Sequence, residues 1–358
     1  MSIESIIGAI AVLAVVIFVH ELGHFLVAKW CRVEVLVFSM GFGPTIFSRK
    51  IGETTYRLAL IPFGGYVKMA GQEEDGGEAP TDPSRGFSAK PLRQRAAIVA
   101  AGPAVNLVFA FVVMLAAYAA YGQLVPSNEA RVGGVVTGSP ADKGGLKPGE
   151  LVMSVDGSPV GGWDDFSTRV RESEGRPLAV VLRDEAGAER EIRITPEVAP
   201  NQDAFGEVIG ESYMIGIQRH FEHEAVGLFE SVSLAGQATY RMSAMIFVML
   251  GRIVQGRVDA SDLGGPIMIA QEAGRLAETG LEPLLRFIAL ISVNLGILNV
   301  LPIPVLDGGH LFFFLIEGLR GRPLSIRVRE MAQQVGVLLL VALMVFVVFN
   351  DISRIVAG

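Results

Sequence analysis

Cysteine is almost absent from this chain: Cys31 stands alone, so no disulfide can close within the chain and no Cys-rich zinc site can be built. Any metal must then be held by histidine and carboxylate, and five histidines in 358 residues leave a narrow choice. Charge is scarce too. Charged residues make up 19% against 51% hydrophobic, too little polar surface for an ordinary water-soluble globule. A net charge of -7 with no dense basic run argues against a nucleic-acid partner. Ahead of the first apolar run, Met1 to Ser5 carries Glu4, no basic residue and no small-x-small cleavage site, so that run is expected to be retained.

What the chain has instead is long hydrophobic runs, with a mean hydropathy of +0.46 overall. Ser5 to Val27 is apolar apart from one polar cluster and is long enough to cross a bilayer at about 1.5 Å per residue. Ala96 to Tyr121 is a second run, opened by Arg93 and Arg95 and closed by Tyr118 and Tyr121. Leu284 to about Leu301 is a third, which Pro302 and Pro304 must break, and Val335 to Phe349 is a fourth. The expected fold is a polytopic α-helical membrane protein with four transmembrane helices at 1–30, 96–121, 284–310 and 331–352. A loop at 31–95, a module at 124–200 and an amphipathic region at 201–283 lie between them.

Charge is unequal between the loops. Trp30 to Arg95 holds nine Lys/Arg against seven Asp/Glu, while Gly122 to Pro283 holds fourteen against twenty-four. Gly318 to Met331 adds Arg320, Arg322, Arg327 and Arg329. The positive-inside rule puts the first and third loops in the cytoplasm and the long acidic loop outside. Glu73 to Pro83 is expected to be a mobile acidic loop.

The long loop opens with strands and small-residue turns, at Gly133-Gly134-Val135-Val136, Gly138-Ser139-Pro140-Ala141, Gly144 to Glu150 and Val155-Asp156-Gly157. Together they resemble a bacterial PDZ domain, an α+β insertion. Its groove is expected between the strand near Gly134 to Val136 and the helix near Trp163 to Arg171. Amphipathic stretches follow at Phe229 to Val258 and Ile267 to Leu276.

The polar cluster in the first run is His20-Glu21-Leu22-Gly23-His24. Residues i and i+4 share a helix face, so two imidazoles can meet one tetrahedral zinc, and Glu21 can take a proton from water without ligating. Two histidines and a glutamate in a membrane helix are costly and persist chiefly for function, although a satisfied polar cluster between helices is the competing reading. Zinc hydrolases usually keep three protein ligands. Asp307, after two prolines at membrane depth, and His310 are the two candidates for the third. His220 and His223, beside Glu222 and Glu224, read as a solvated face rather than a second metal pair.

HELGH in the first helix, Gly102-Pro103-Ala104-Val105-Asn106 in the second, the PDZ-like insertion and Asn299-x-x-Pro302-x-Pro304-x-Leu306-Asp307-Gly308 together resemble the site-2 protease family, in particular its bacterial regulator-of-sigma-E members. The likeness covers nearly the whole chain. It implies an intramembrane zinc metalloprotease with His20, His24 and Asp307 as ligands to Zn2+ and Glu21 as the catalytic acid/base. It implies residence in the bacterial inner membrane, a periplasmic PDZ domain and a site near the cytoplasmic side. Its substrates would be single-pass membrane proteins, such as anti-sigma factors or signal-peptide remnants, pre-cleaved by another protease. Gly64-Gly65-Tyr66-Val67-Lys68-Met69 resembles the family's membrane-associated β-hairpin, whose edge could pair with an unwound substrate. Asn294 and Asn299 match asparagines placed near the metal, with Pro302 and Pro304 beside them. The departure is one PDZ domain where familiar relatives carry two. Two rivals remain: a peptide-capturing scaffold without catalysis, and a zinc enzyme acting on soluble peptides.

Overall fold

A computed structural model describes residues 3–72, 80–203, 207–257 and 264–357. Two units emerge, one formed by 1–120 with 228–358 and the other by 121–227.

The first unit opens with α1 (Ile3–Trp30) and two long strands, β1 (Val35–Ile51) and β2 (Thr54–Met69), followed by α2 (Leu92–Tyr121). Each strand pairs twice. Val37 to Met40 lies opposite Lys68 to Gly65 on one side and Thr55 to Leu58 on the other, while Thr45 to Ile51 closes onto Ala59 to Thr54. The segment Gly65 to Met69 is therefore an outer edge of this sheet. Phe42, Ile46, Phe47, Leu60 and Ile61 are exposed on the sheet, an apolar patch that a monomer in water would not keep bare. The turn is tied down by Glu53, which accepts from Lys29 and Arg85. Of the stretch expected to be a mobile acidic loop, residues 73–79 lie outside the described residues.

Across from α1, close approach is set by small residues, as helix pairs in lipid require. A Cβ on Gly23 would sit 2.6 Å from Ala101 O, so α1 and α2 meet backbone to backbone there.

The second unit holds β3 (Gln123–Pro126), β4 (Val132–Val135), α3 (Pro140–Lys143), β5 (Leu151–Val155), β6 (Ser158–Pro159), α4 (Trp163–Glu172), β7 (Leu178–Arg183), β8 (Glu189–Ile194), β9 (Glu197–Gln202), β10 (Val208–Met214), β11 (Ile217–Arg219) and β12 (Phe221–Glu224). A four-stranded antiparallel sheet in the order β6-β5-β7-β8 carries the core, where Phe166 of α4 packs with Val180 and Leu182 of β7. The unit runs past residue 200: β11 pairs with β4 and β12 with β3. In the expected groove strand, Gly134 and Val135 pair with β11, and Val132, just before them, exchanges hydrogen bonds with Gly149 and Glu150. The strands that run beside α4 are β10 and β5, and Arg219 of β11 reaches Asp164 of α4 at 3.5 Å.

Back in the first unit come α5 (Leu228–Val254), α6 (Pro266–Thr279), α7 (Leu281–Val300), α8 (Asp307–Arg320) and α9 (Ile326–Ala357). α5 lays Ala235, Ala238 and Met242 against Val113 and Met114 of α2 and Val293 of α7. Among the described residues, four helices are long and apolar enough to cross a membrane: Gly8–Trp30, Leu92–Tyr121, Leu281–Val300 and Ile326–Val356. The third expected span, 284–310, is broken. α7 stops at Val300, Leu301 is extended, and helix resumes at Asp307, because Pro302 and Pro304 cannot supply the backbone N–H groups a continuous helix needs. The restart is tight: a Cβ on Gly308 would fall 2.2 Å from Val300 O, and one on Gly309 2.3 Å from Ile303 O.

Candidate metal centre

One turn of α1 presents His20 and His24 on the same face, and their Nε2 atoms lie 3.2 Å apart. The broken segment delivers Asp307 to the same point, with Oδ2 3.1 Å from His20 Nε2 and 3.4 Å from His24 Nε2. Both imidazoles are buried, at 7% and 8% exposure, and Asp307 Oδ2 has no hydrogen-bond donor among the described residues. Tetrahedral zinc with bonds of about 2.0–2.1 Å holds its ligand atoms roughly 3.3 Å apart. The three donors already stand at that spacing, and two imidazoles with one carboxylate suit zinc chemically. Asp307 lies at the first residue of α8, where the helix dipole favours a carboxylate. Among the described residues this is the single group of three or more His, Cys, Asp or Glu able to hold a metal ion. His310, the rival third ligand, is not in it; its ring packs edge-on against Phe313 at 6.4 Å. Neither His220 nor His223 joins any such group, and His223 Nδ1 instead meets Tyr121 O at 3.0 Å.

The second-helix motif packs against this face. Gly102 leaves room for the imidazoles, since a Cβ there would stand 2.3 Å from His24 Nε2 and 2.8 Å from His20 Cε1. His24 Nδ1 donates to the carbonyl of Ile98 at 2.8 Å, which leaves Nε2 to point its lone pair inward. Sequence reasoning missed Ile98, and no side-chain signal could have found it, because the acceptor is backbone. Asn106 lies against His20 Nδ1 at 3.3 Å.

A cavity of about 1380 Å³ opens onto the three donors. Glu21 lines it, as does the strand edge from Gly64 to Met69. Gly65 touches the acid: its Cβ would lie 2.9 Å from Glu21 Cγ. Asn299 also faces the cavity, with Nδ2 3.5 Å from His20 Nε2. Asn294, Pro302 and Pro304 are not among the residues lining it.

A metal-binding trio with an adjacent glutamate, set among membrane-length helices, defines a membrane metallohydrolase. The chain belongs to peptidase family M50, whose family model matches residues 8–343. A candidate zinc metalloprotease of Mesorhizobium japonicum is 39% identical, with 98% of this chain and 99% of that protein covered. One of Agrobacterium fabrum is 35% identical over 98% of this chain and 96% of that protein. The regulator of sigma-E protease of Salmonella typhimurium is 33% identical over 96% of this chain and 97% of its own length. That last alignment runs to 443 positions against 358 residues here, so the Salmonella protein carries additional sequence. This protein is accordingly a multi-pass membrane zinc metalloprotease of the M50 type.

Proposed function

We propose that the protein cuts transmembrane segments of other membrane proteins, with His20, His24 and Asp307 holding zinc and Glu21 as the general acid/base. The convergence of three donors at zinc spacing beside a free strand edge carries this reading. When bound, zinc polarises the scissile carbonyl and makes water a better nucleophile. Glu21 takes a proton from the attacking water and returns it to the leaving amine nitrogen, after which the peptide C–N bond is broken. The edge from Gly64 to Val67 supplies backbone donors and acceptors to an unwound substrate strand, since a helix offers none of its own for pairing. Asn299 steadies the substrate carbonyl with its amide. Asn294 precedes and Pro302 and Pro304 follow the break at Leu301, on the same stretch of chain as Asn299.

Orientation follows from charge. The basic loops 31–95 and 318–331 face the cytoplasm, and the acidic 121–227 unit, a PDZ-like module, faces the periplasm of a bacterial inner membrane. His20 is about 15 Å along the helix from Trp30, so water from the cytoplasm needs to cross only part of the bilayer. Substrates are single-pass proteins already trimmed on the outer side, anti-sigma factors or signal-peptide remnants by class; the Salmonella relative is named as a regulator of sigma-E. The test is a membrane-spanning reporter: wild-type protein cleaves it within the span and Glu21→Gln does not, although both hold zinc. Cleavage by Glu21→Gln at the wild-type rate defeats the assignment.

A further inference from the structure

The two imidazoles are held from behind in different ways. His24 Nδ1 faces a backbone carbonyl, which only accepts, so its tautomer is fixed with Nε2 free for metal. His20 Nδ1 faces the side-chain amide of Asn106, which can either donate or accept. Asn106 is fully buried, and Ser292 Oγ donates to its backbone carbonyl at 2.8 Å, fixing the residue between α2 and α7. In the structure its Nδ2 points at His20 Nδ1, and its Oδ1 finds no hydrogen-bond partner among the described residues. With Nδ2 placed there, Nδ1 can only accept and the ring hydrogen would sit on Nε2, the nitrogen that faces the trio. To ligate through Nε2, His20 must carry its hydrogen on Nδ1, and that hydrogen needs an acceptor. A half-turn about Cβ–Cγ of Asn106 exchanges Nδ2 for Oδ1 with almost no change in shape.

We propose that Asn106 is the positioning residue for His20, with its Oδ1 turned to accept from Nδ1–H and so to fix the ligating tautomer. The inference rests on zinc being held by His20, His24 and Asp307. Asparagine suits the task because one buried side chain serves both tautomers. Aspartate would serve only the metal-loaded one, and an aliphatic residue neither.

The experiment uses the full chain in detergent with zinc alone as probe, measuring affinity by competition with a chromophoric chelator. Loss of such a partner behind a histidine ligand costs about 10–100-fold in metal affinity. Asn106→Leu and Asn106→Ala should fall in that range, whereas Asn106→Asp should hold zinc at wild-type affinity or tighter while its metal-free form melts lower than wild type. A purely packing role predicts the opposite order, because a buried carboxylate would disturb the helix contact more than leucine does. Asn106→Leu that folds and binds zinc like wild type overturns the proposal. So does Asn106→Asp releasing zinc as readily as Asn106→Leu, and this arm decides the matter if the aliphatic variants do not fold. Wild-type protein that holds one zinc, which Asp307→Ala lacks, keeps the ligand assignment standing whatever the Asn106 variants do; wild-type protein without zinc defeats both.

Discussion

Gly102 and His24 are in contact through the hydrogen that glycine has in place of a side chain: a Cβ at Gly102 would lie 2.3 Å from His24 Nε2, far inside van der Waals distance. The neighbouring atoms are rigid imidazoles, one of them bonded to Ile98 O, so the helix rather than the rings must give way. Gly102→Ala is expected to displace α2 from α1 and open the trio. A shift of about 1 Å at a reacting centre costs on the order of 100-fold in rate. Reporter cleavage by Gly102→Ala should fall by that factor, with zinc content reduced in parallel; an unchanged rate would show that the helices part without disturbing the donors.

Gly65 stands to Glu21 as Gly102 does to the histidines, with its Cβ position 2.9 Å from Glu21 Cγ and equally close to Ser39 O. Alanine there pushes the acid off line while leaving the three donors alone. Gly65→Ala should therefore keep zinc at the wild-type level and lower the rate about 10–100-fold, by the same positional argument. Zinc analysis beside reporter kinetics separates this outcome from that of Gly102→Ala.

The four spans were legible because twenty or more apolar residues admit few other fates in water. HELGH was legible because a helix turns two residues four apart onto one face. Asp307 over His310 was not settled by sequence, since both follow the same break and only the fold of Leu301 to Leu306 shows which one enters the trio. The pairing of β11 with β4 was hidden for a related reason: β11 is three residues long and reaches β4 from about eighty residues away, a pairing that no local pattern announces. Ile98 was invisible because any residue could supply that carbonyl.

Glu53 links the turn between β1 and β2 to the end of α1 and to Arg85. The ammonium of Lys29, with the Arg85 guanidinium beside it, holds its carboxyl below the usual glutamate value. A group with a lowered folded pKa contributes stability that is present above its unfolded pKa, about 4.3, and fades as pH falls through the folded value. Amide hydrogen exchange in Thr54 to Arg57 should speed up as pH drops below about 4 relative to the intrinsic rate. Glu53→Gln should abolish that extra pH dependence, and an identical profile in the two proteins would remove Glu53 from the linkage.

Asp351 is 2% exposed and reaches from α9 to the start of α6, where its carboxylate accepts from the backbone N–H of Gly265, Ile267 and Met268. Gly265, the residue at the helix cap position, has no side chain with which to satisfy them, so the cap comes from another helix. α6 in turn covers α1 through Ala273 against Ala9 and Val12, the same helix that carries His20 and His24. Leaving buried donors unsatisfied costs about 1–3 kcal/mol each, and a remote carboxylate also benefits from the helix dipole. Asp351→Ala should thus lower the melting temperature in detergent by several degrees, and Asp351→Asn, which still accepts but lacks the charge, by less. The loss should appear as weaker exchange protection in α6 before α1 responds, because α1 keeps its contacts with α2 at Gly23. Equal melting for the two variants would mean that the charge, not the hydrogen bonds, holds α6 in place.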